Sequence, residues 1–340
     1  MRGRVWVAVG ALVILLTGCG DGVAGGGSEV SGPWRTSSDP VETGGLVWAA
    51  ASSVHLSDGT TIDTGGFVRT FVVAGDGVYY FRAATEEEVA SVSDAHEELL
   101  YADGERSGSG TGIHLSVDSL RASPDGRYVA GLDTQSGEKD GYGTPQAAVV
   151  VLDLATGEVV RSTEGFGDPD RDDLAVDYEN AELEVYTLTN DTLYVRGVRG
   201  DYAYDPGTGE GTRLAEGEEP PRPGDDELVS PDGAWRIRAS NAGRDQLVSS
   251  SGEKVIPKAG SSRWDLDWWA DDDTVVGNTV SGPGRGEKLG PRDIMALMAC
   301  VVPSGACEVY EETVGQVVVY PIGTKDYYGT YLQDSTEEAP

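Results

Sequence analysis

Six short turns that end in glycine recur along the chain at intervals of 45, 53, 52, 43 and 53 residues. The glycines are Gly59, Gly104, Gly157, Gly209, Gly252 and Gly305. Each turn follows an apolar or aromatic run and precedes a polar or β-branched run, which predicts a hairpin closed by a residue at positive φ. Self-similarity at a period of about 40 to 50 residues is typical of a repeat architecture.

A second turn recurs out of phase with the first. Residues 123–126 and 230–233 both read Ser-Pro-Asp-Gly, and looser copies begin at Ala74, Thr189 and Ala270. Proline presets the first position of such a turn, and aspartate and glycine suit the tight return. A β-rich run follows every copy. Each repeat is therefore expected to hold four strands, and such repeats predict the blades of a propeller.

This pattern resembles the TolB-like and WD-type β-propeller repeats, in which a Ser-Pro-Asp-Gly turn joins the first two strands of a blade. The run Leu-Asp-Leu-Ala-Thr-Gly-Glu at 152–158 is similar to the turn that joins the last two strands. The resemblance covers about residues 45–321 and implies a fold rather than an activity. We therefore predict an all-β protein, a six-bladed β-propeller of four-stranded antiparallel blades at residues 45–322.

Each predicted blade begins at its inner strand. The inner strands of blades two to six are expected at 67–73, 116–122, 182–188, 227–229 and 264–269. Blade one has three strands between residues 46 and 64, and its inner strand is expected from residues 315–320 near the C-terminus. That pairing would close the ring and leave no open sheet edge. Residues 323–340 are predicted to form an acidic C-terminal tail.

The first 18 residues have the features of a lipoprotein signal peptide. Arg2 and Arg4 precede an apolar run at 5–16 that is short for a bilayer span, and Leu-Thr-Gly-Cys then ends at Cys19. This order resembles a bacterial lipobox, which implies cleavage before Cys19 and lipidation of its thiol. We expect an extracytoplasmic protein anchored to the membrane by lipid, with residues 19–44 as a flexible tether. A transmembrane anchor or a chance cysteine is the alternative.

The chain carries 58 acidic and 25 basic residues, a formal net charge of −33 at pH 7. Such a field opposes nucleic acid and attracts cations or basic partners, although it also serves solubility. The sequence contains no Gly-x-Ser-x-Gly elbow, phosphate loop or dinucleotide fingerprint. The three histidines, His55, His96 and His114, are expected to lie far apart and fit no metal-ligand spacing. These features favour a binding protein over an enzyme.

Cys300 and Cys307 flank the turn at 302–305 symmetrically, which places them opposite each other in a hairpin. Facing positions in an antiparallel pair are close enough for a disulfide. An exported protein also meets an oxidising compartment. We therefore predict a structural disulfide rather than two free thiols.

One acidic run follows the Asp-x-Asp-x-Asp…Glu spacing of a calcium loop. Its candidate ligands are Asp168, Asp170, Asp172 and Glu179. The sixth position, where such a loop needs glycine, holds Asp173, and no flanking helices are expected. Since acidic runs are common in so acidic a chain, a solvated turn is the preferred interpretation and calcium the alternative.

A second candidate site emerges when the predicted inner strands are aligned. Five residues stand seven positions before the aspartate of each turn, namely Arg69, Asp118, Glu184, Asp225 and Asp265. They are expected to surround the channel mouth on the face that carries the long loops. Such a ring could hold a cation or a basic ligand, but a hydrated polar funnel explains it equally simply and is preferred.

Three tryptophans crowd the inner strand of blade six. Asp265 and Asp267 alternate with apolar residues there, so Trp264, Leu266 and Trp268 are predicted to share one buried face. Exposed tryptophans could instead stack on sugars.

Two functions agree with these features. The first is a binding module in the cell envelope that presents its long-loop face to a protein, peptide or glycan; TolB-like propellers, which this chain resembles, serve as envelope interaction platforms. The second is a calcium-dependent envelope hydrolase similar to propeller lactonases or phosphoesterases. Because histidines are few and the calcium loop is imperfect, the first is preferred.

Overall fold

The structure is a computed structural model that describes residues 45–89, 95–221, 228–283, 290, 292–324 and 330–333. The predicted signal peptide with Cys19, the tether and Asp225 lie outside the described residues. In the described part, the strands form six antiparallel sheets that follow one another along the chain. These sheets fit the blades of a β-propeller.

The first three sheets occupy the N-terminal half of the described chain. Sheet I begins with β1 (Trp48–Ala50), β2 (Ser53–His55) and β3 (Thr61–Asp63). Sheet II contains β4 (Val68–Ala74), β5 (Gly77–Arg82), β6 (His96–Ala102) and β7 (Ser109–Ser116). Sheet III contains β8 (Arg121–Ala122), β9 (Tyr128–Asp133), β10 (Ala148–Asp153) and β11 (Glu158–Ser162).

The remaining sheets follow in the same order. Sheet IV contains β12 (Glu184–Leu188), β13 (Leu193–Gly197), β14 (Gly200–Tyr204) and β15 (Gly211–Arg213). Sheet V contains β16 (Trp235–Arg238), β17 (Gln246–Ser249) and β18 (Lys254–Val255). Sheet VI contains β19 (Arg263–Trp269), β20 (Thr274–Ser281), β21 (Ile294–Val301) and β22 (Ala306–Tyr310). The last two strands, β23 (Val317–Val319) and β24 (Thr330–Tyr331), return to sheet I.

Short helices lie in the connections between strands. The described α-helices are α1 (Glu86–Val89) and α2 (Leu174–Ala181), and 3-10 turns cover Val117–Ser119 and Glu311–Thr313. Helix α1 lies in the connection between β5 and β6, and α2 lies in the connection between β11 and β12.

The C-terminal part of the chain completes sheet I. Strand β23 pairs antiparallel with β1, with Ala49 opposite Val319 and Ala50 opposite Val318. The expected pairing of these two segments is confirmed. Strand β24 then pairs with β23, and Leu332 beyond it is fully buried. Part of the predicted tail is therefore built into this sheet.

Neighbouring sheets pack face to face through buried apolar side chains. Clusters join sheets I and II, II and III, III and IV, V and VI, and VI and I. Within residues 45–221 and 228–283 no comparable cluster joins sheets IV and V, whose connection includes the undescribed residues 222–227. By packing, the sheets thus follow the order V, VI, I, II, III, IV.

The tight turns gather at one end of the sheets. Ser123 Oγ donates to Asp125 Oδ1 (2.6 Å) and accepts from the backbone N of Tyr128 (2.9 Å), which fixes the Ser-Pro-Asp-Gly turn. The backbone N of Asp125 donates to Asn190 Oδ1 in the matching turn of sheet IV (3.0 Å). We call this the tight-turn end. The loops between second and third strands, and those between sheets, lie at the opposite, long-loop end.

Five of the six predicted glycines have positive φ, and Gly104 does not. In that hairpin, Asp103 Oδ1 accepts from the backbone N of Glu105 (2.8 Å) and of Arg106 (2.7 Å), and Gly108 takes the positive φ of 66° instead. A side-chain acceptor has replaced the glycine as the feature that closes the turn.

Two predicted inner strands are largely replaced. Residues 117–119 form a 3-10 turn, because Ser119 Oγ donates to Ser116 O (2.7 Å) and accepts from the backbone N of Leu132 (2.8 Å) in place of a strand ladder. Only Arg121–Ala122 remain as strand β8. In the described part of sheet V, the predicted inner strand contributes only a bridge between Val229 and Arg236, so three strands are described there instead of four.

The prediction that Trp264, Leu266 and Trp268 share a face is wrong. The register of β19 against β20 shifts between Leu266 and Trp268, so a bulge reverses the alternation. Trp264, Leu266 and Trp269 pack toward sheet V, whereas Trp268 packs toward sheet I, with its ring 5.2 Å from that of Tyr320. All three tryptophans are buried, which leaves no exposed sugar platform on this strand.

The predicted disulfide is present. Cys300 on β21 and Cys307 on β22 face each other in the ladder and are joined through their sulfurs. Cys300 is fully buried and belongs to the cluster between sheets V and VI. The bond therefore ties an edge strand to the core.

Replacing both Cys300 and Cys307 with alanine should lower the free energy of unfolding by about 2 kcal/mol, because a short closed loop lies at the low end of the usual range. Urea unfolding with and without reductant measures the effect. A Cys19→Ser variant serves as control, since it leaves this pair intact and should unfold like the parent protein. Equal stability of the double variant and the parent would contradict a stabilising disulfide.

Candidate functional site

A cavity of about 240 Å³ opens at the long-loop end, between sheets III and IV. The 3-10 turn before β8 forms one wall, the end of β9 the back, and the start of β12 the other wall. Its lining consists of Ser116, Asp118, Ser119, Leu132, Thr134, Leu183, Glu184 and Val185. Two of the five predicted channel-mouth residues, Asp118 and Glu184, are thereby brought to one site. We call it the long-loop pocket.

Arg121 holds the two walls of this pocket together. Its guanidinium donates to the carbonyl of Asp118 on one wall (2.9 Å) and to the carbonyl of Val185 on the other (2.5 Å). A further bond reaches the carbonyl of Tyr186 (3.4 Å). Since one rigid, charged group binds backbone atoms of two sheets, the spacing of the walls is fixed before any ligand arrives.

The pocket is polar and acidic. Asp118 and Glu184 are exposed, and Ser116 Oγ lies 3.4 Å from Thr134 Oγ1. The guanidinium of Arg196 lies 4.0 Å from the carboxylate of Glu184 and 3.7 Å from the carboxylate of Asp201. None of the eight lining residues is basic. The geometry suits a group that donates hydrogen bonds or carries a positive charge.

A buried charged network lies behind the pocket. Asp133 is the last residue of β9 and directly precedes Thr134. One of its carboxylate oxygens lies 3.0 Å from His96 Nε2, and the other accepts a hydrogen bond from Arg161 Nη1 (2.6 Å). Burial opposes ionisation of Asp133, but the bond from Arg161 and those from the backbone of Gln135 and Ser136 outweigh it and lower its pKa to about 2. The carboxylate therefore stays charged and anchors β9 to sheet II.

No sequence signal links His96 to Asp133, because they lie on different sheets and their spacing follows no motif. The expectation that the histidines lie far apart is wrong for one pair: the rings of His96 and His114 stack with centroids 6.1 Å apart. Antiparallel pairing of β6 with β7 brings them together, with Glu98 opposite His114. The side chain of His96 is only 5% exposed, so it serves packing and the hydrogen bond with Asp133.

The other predicted channel-mouth residues have separate surroundings. Arg69, on β4, is mostly buried and pairs with Glu97 (2.6 Å) and Glu88 (3.2 Å). Asp265 lies on β19 of sheet VI. Asp225 is outside the described residues, so a complete ring stays a prediction.

The acidic run at 168–173 forms the approach to helix α2. Asp173 caps this helix by accepting from the backbone N of Val176 (3.4 Å), and Asp172 Oδ2 accepts from the backbone N of Asp168 (2.8 Å). Arg199 also lies 3.2 Å from Asp172. A helix directly after the run corrects the expectation that none flanks it. Asp168, Asp170, Asp172 and Glu179 are all described residues, and among such residues no three His, Cys, Asp or Glu side chains form a group that could hold a metal ion.

Comparison with known proteins gives only remote structural similarity. No family model matches the chain, and no curated protein matches it. Among solved structures, it is similar to oligogalacturonate lyase from Vibrio parahaemolyticus, at 11% identity over 76% of this chain and 70% of that chain, with a TM-score of 0.28. It is also similar to Hsv2 from Kluyveromyces lactis, at 9% identity over 76% and 79% of the two chains, with a TM-score of 0.26.

A prolyl endopeptidase matches at 13% identity, over 86% of this chain and 51% of that chain, with a TM-score of 0.30. Scores and identities of this size carry no argument about activity or ligand.

In the described part of the chain, no helix has the length and apolar character needed to cross a membrane.

An Asp133→Asn variant should be less stable at pH 7 by about 2 kcal/mol, because it loses a carboxylate whose pKa lies below the unfolded value of about 3.9. That stabilisation is present above the unfolded pKa and is lost as pH falls through the folded pKa of about 2. The difference from the parent protein should therefore shrink between about pH 4 and pH 2.

Urea unfolding at several pH values, followed by tryptophan fluorescence, measures this difference. Glu179→Gln, at an exposed position of α2, provides a control that should unfold like the parent protein at every pH. A difference that stays constant with pH would show that Asp133 does not act through its charge.

Proposed function

We propose that this protein is a six-bladed β-propeller, anchored by lipid at Cys19 outside the cytoplasm, and that it binds a basic peptide or protein segment at its long-loop end. Closure of the ring is supported by the apolar packing between five of the six neighbouring pairs of sheets and by the return of β23 to sheet I. The ring would be completed by contact between sheets IV and V. The anchor rests on the resemblance of residues 16–19 to a lipobox.

The observation that carries the proposed binding role is the long-loop pocket. Its carboxylates, Asp118 and Glu184, stand on walls that Arg121 fixes in place. A preformed site needs little ordering when a ligand binds, which favours affinity. The net charge of −33 adds long-range attraction for basic partners.

The size of the pocket indicates what enters it. A volume of about 240 Å³ is below the range of about 300–1,000 Å³ that is usual for sites enclosing a whole small molecule. It suits one lysine or arginine side chain presented by a larger partner. Peptides and proteins offer such side chains, and for this reason we prefer them to a glycan.

Substituting Asp118→Asn or Glu184→Gln should weaken binding of an oligolysine peptide about tenfold, the loss expected for one charge-assisted hydrogen bond. Fluorescence anisotropy of the labelled peptide measures the affinity. Glu182→Gln is the matched control, because Glu182 is exposed, lies two positions before Glu184 and does not line the pocket. An equal loss of affinity in the control would mean that the peptide responds to the overall charge of the protein. Unchanged affinity in both pocket variants would contradict binding at this pocket.

Replacing Cys19 with serine should release the protein from membranes, since no lipid could then be attached to the thiol. Fractionation of cells into membrane and soluble parts, followed by detection of the protein, gives the result. If the variant still sediments with membranes, the lipobox interpretation fails, whereas the binding proposal keeps its own test.

A further inference from the structure

A cavity of about 600 Å³ lies between sheets VI and I at the tight-turn end, opposite the long-loop pocket. The turn between β2 and β3 supplies Ser57 and Gly59, and Val301 and Ala306 flank the turn between β21 and β22. No motif in the sequence points to this place. We call it the aromatic cavity.

Three residues that line the aromatic cavity carry aromatic rings, namely Trp48, His55 and Tyr310. Trp48 is only 3% exposed and stacks on His55, with ring centroids 3.9 Å apart and an angle of 7° between the planes. Tyr310 lies across from them, 5.8 Å from Trp48. His55 and Tyr310 are partly exposed and offer ring surface to a ligand, while Trp48 supports them from below.

Two carboxylates stand beside these rings. Glu308 and Glu312 both line the cavity and are exposed, and the hydroxyl of Tyr310 donates to Glu308 Oε2 (3.3 Å). The described lining contains no lysine or arginine. The lining therefore carries negative charge, and no basic residue within the lining neutralises it.

The other titratable groups in the lining leave this charge unchanged near neutral pH. Burial lowers the pKa of His55, an effect partly opposed by Glu312, so the imidazole is neutral. Burial also raises the pKa of Tyr310 to about 12, with a further contribution from Glu308, so its phenol keeps the proton that it donates. Rings without charge beside ionised carboxylates form a surface that attracts cations.

We propose that the aromatic cavity binds a small organic ammonium ion. The rings of His55 and Tyr310 contact the apolar groups around the nitrogen, and Glu308 and Glu312 neutralise its charge. The face of the Tyr310 ring attracts such a cation electrostatically, and the attraction grows as water is excluded. The volume of about 600 Å³ lies within the range of sites for whole small molecules, unlike that of the long-loop pocket. This inference does not depend on the proposed peptide binding, which uses the other end of the sheets.

A pair of probes that differ only in charge tests the proposal. Choline carries a trimethylammonium group, and 3,3-dimethyl-1-butanol has the same shape with carbon in place of the nitrogen. Isothermal titration of the full-length protein in a neutral detergent should show saturable binding of one choline, with a dissociation constant below about 1 mM. The neutral alcohol should bind at least about tenfold more weakly, because it lacks the charge that the carboxylates and rings attract.

Variants at exposed positions then locate the site without threatening the fold. Glu308→Gln and Glu312→Gln should each weaken choline binding about fivefold to tenfold, as expected for the loss of one exposed or partly exposed carboxylate partner. Glu311→Gln is the matched control, since Glu311 is also exposed, adjacent to Glu312 and outside the lining. Thermal melts of all three variants should coincide with that of the parent protein.

Three outcomes would overturn the proposal. They are the absence of saturable choline binding, equal binding of choline and the neutral alcohol, and an equal loss of affinity in Glu311→Gln and Glu312→Gln. The second outcome would indicate a purely apolar cavity, and the third a general response to the acidic surface.

Discussion

The pairing of β23 with β1 is the contact on which the rest of the arrangement depends. Without β23, strand β1 would be an open edge, and the packing between sheets VI and I would lose Val318 and Tyr320. Each sheet buries its faces only against the neighbouring sheets. Loss of β23 would therefore expose apolar surface on both sheet VI and sheet I. Residues near the two ends of the described chain are thus held together by a few backbone hydrogen bonds, and β24 and Leu332 reinforce them.

Much of this fold could be predicted from turn chemistry, because glycine and the Ser-Pro-Asp-Gly turn act locally. Strands β21 and β22, and the facing of Cys300 and Cys307, follow from the turn between them. Other elements depend on contacts that no local pattern shows. The side chain of Ser119 replaces the predicted strand around Asp118, and a bulge before Trp268 reverses the face of that residue. Repeat alignment did indicate Asp118 and Glu184, which share the long-loop pocket, but it could not indicate Arg121, whose role depends on carbonyls of another sheet.

The two cavities differ in the way that each is built. The long-loop pocket is small, has hydroxyl and carboxylate groups, and depends on one arginine that spans two sheets. The aromatic cavity is larger and depends on ring packing between sheets VI and I, close to the disulfide, since Cys307 is part of its lining. His55 and Tyr310 come from opposite ends of the sequence, and only the return of the chain to sheet I brings them together. This explains why spacing in the sequence gave no sign of that cavity.

Gly45 shows at which end of the sheets the described chain begins. A Cβ atom placed there would lie 3.0 Å from Cβ of Ser57, in the turn between β2 and β3, so the chain reaches the first sheet at the tight-turn end. The aromatic cavity, which Gly45 helps to line, therefore lies beside the point where the described chain begins, and the long-loop pocket lies at the opposite end of the sheets. A group joined to the chain just before Gly45 would stand next to the first cavity and a whole sheet length away from the second.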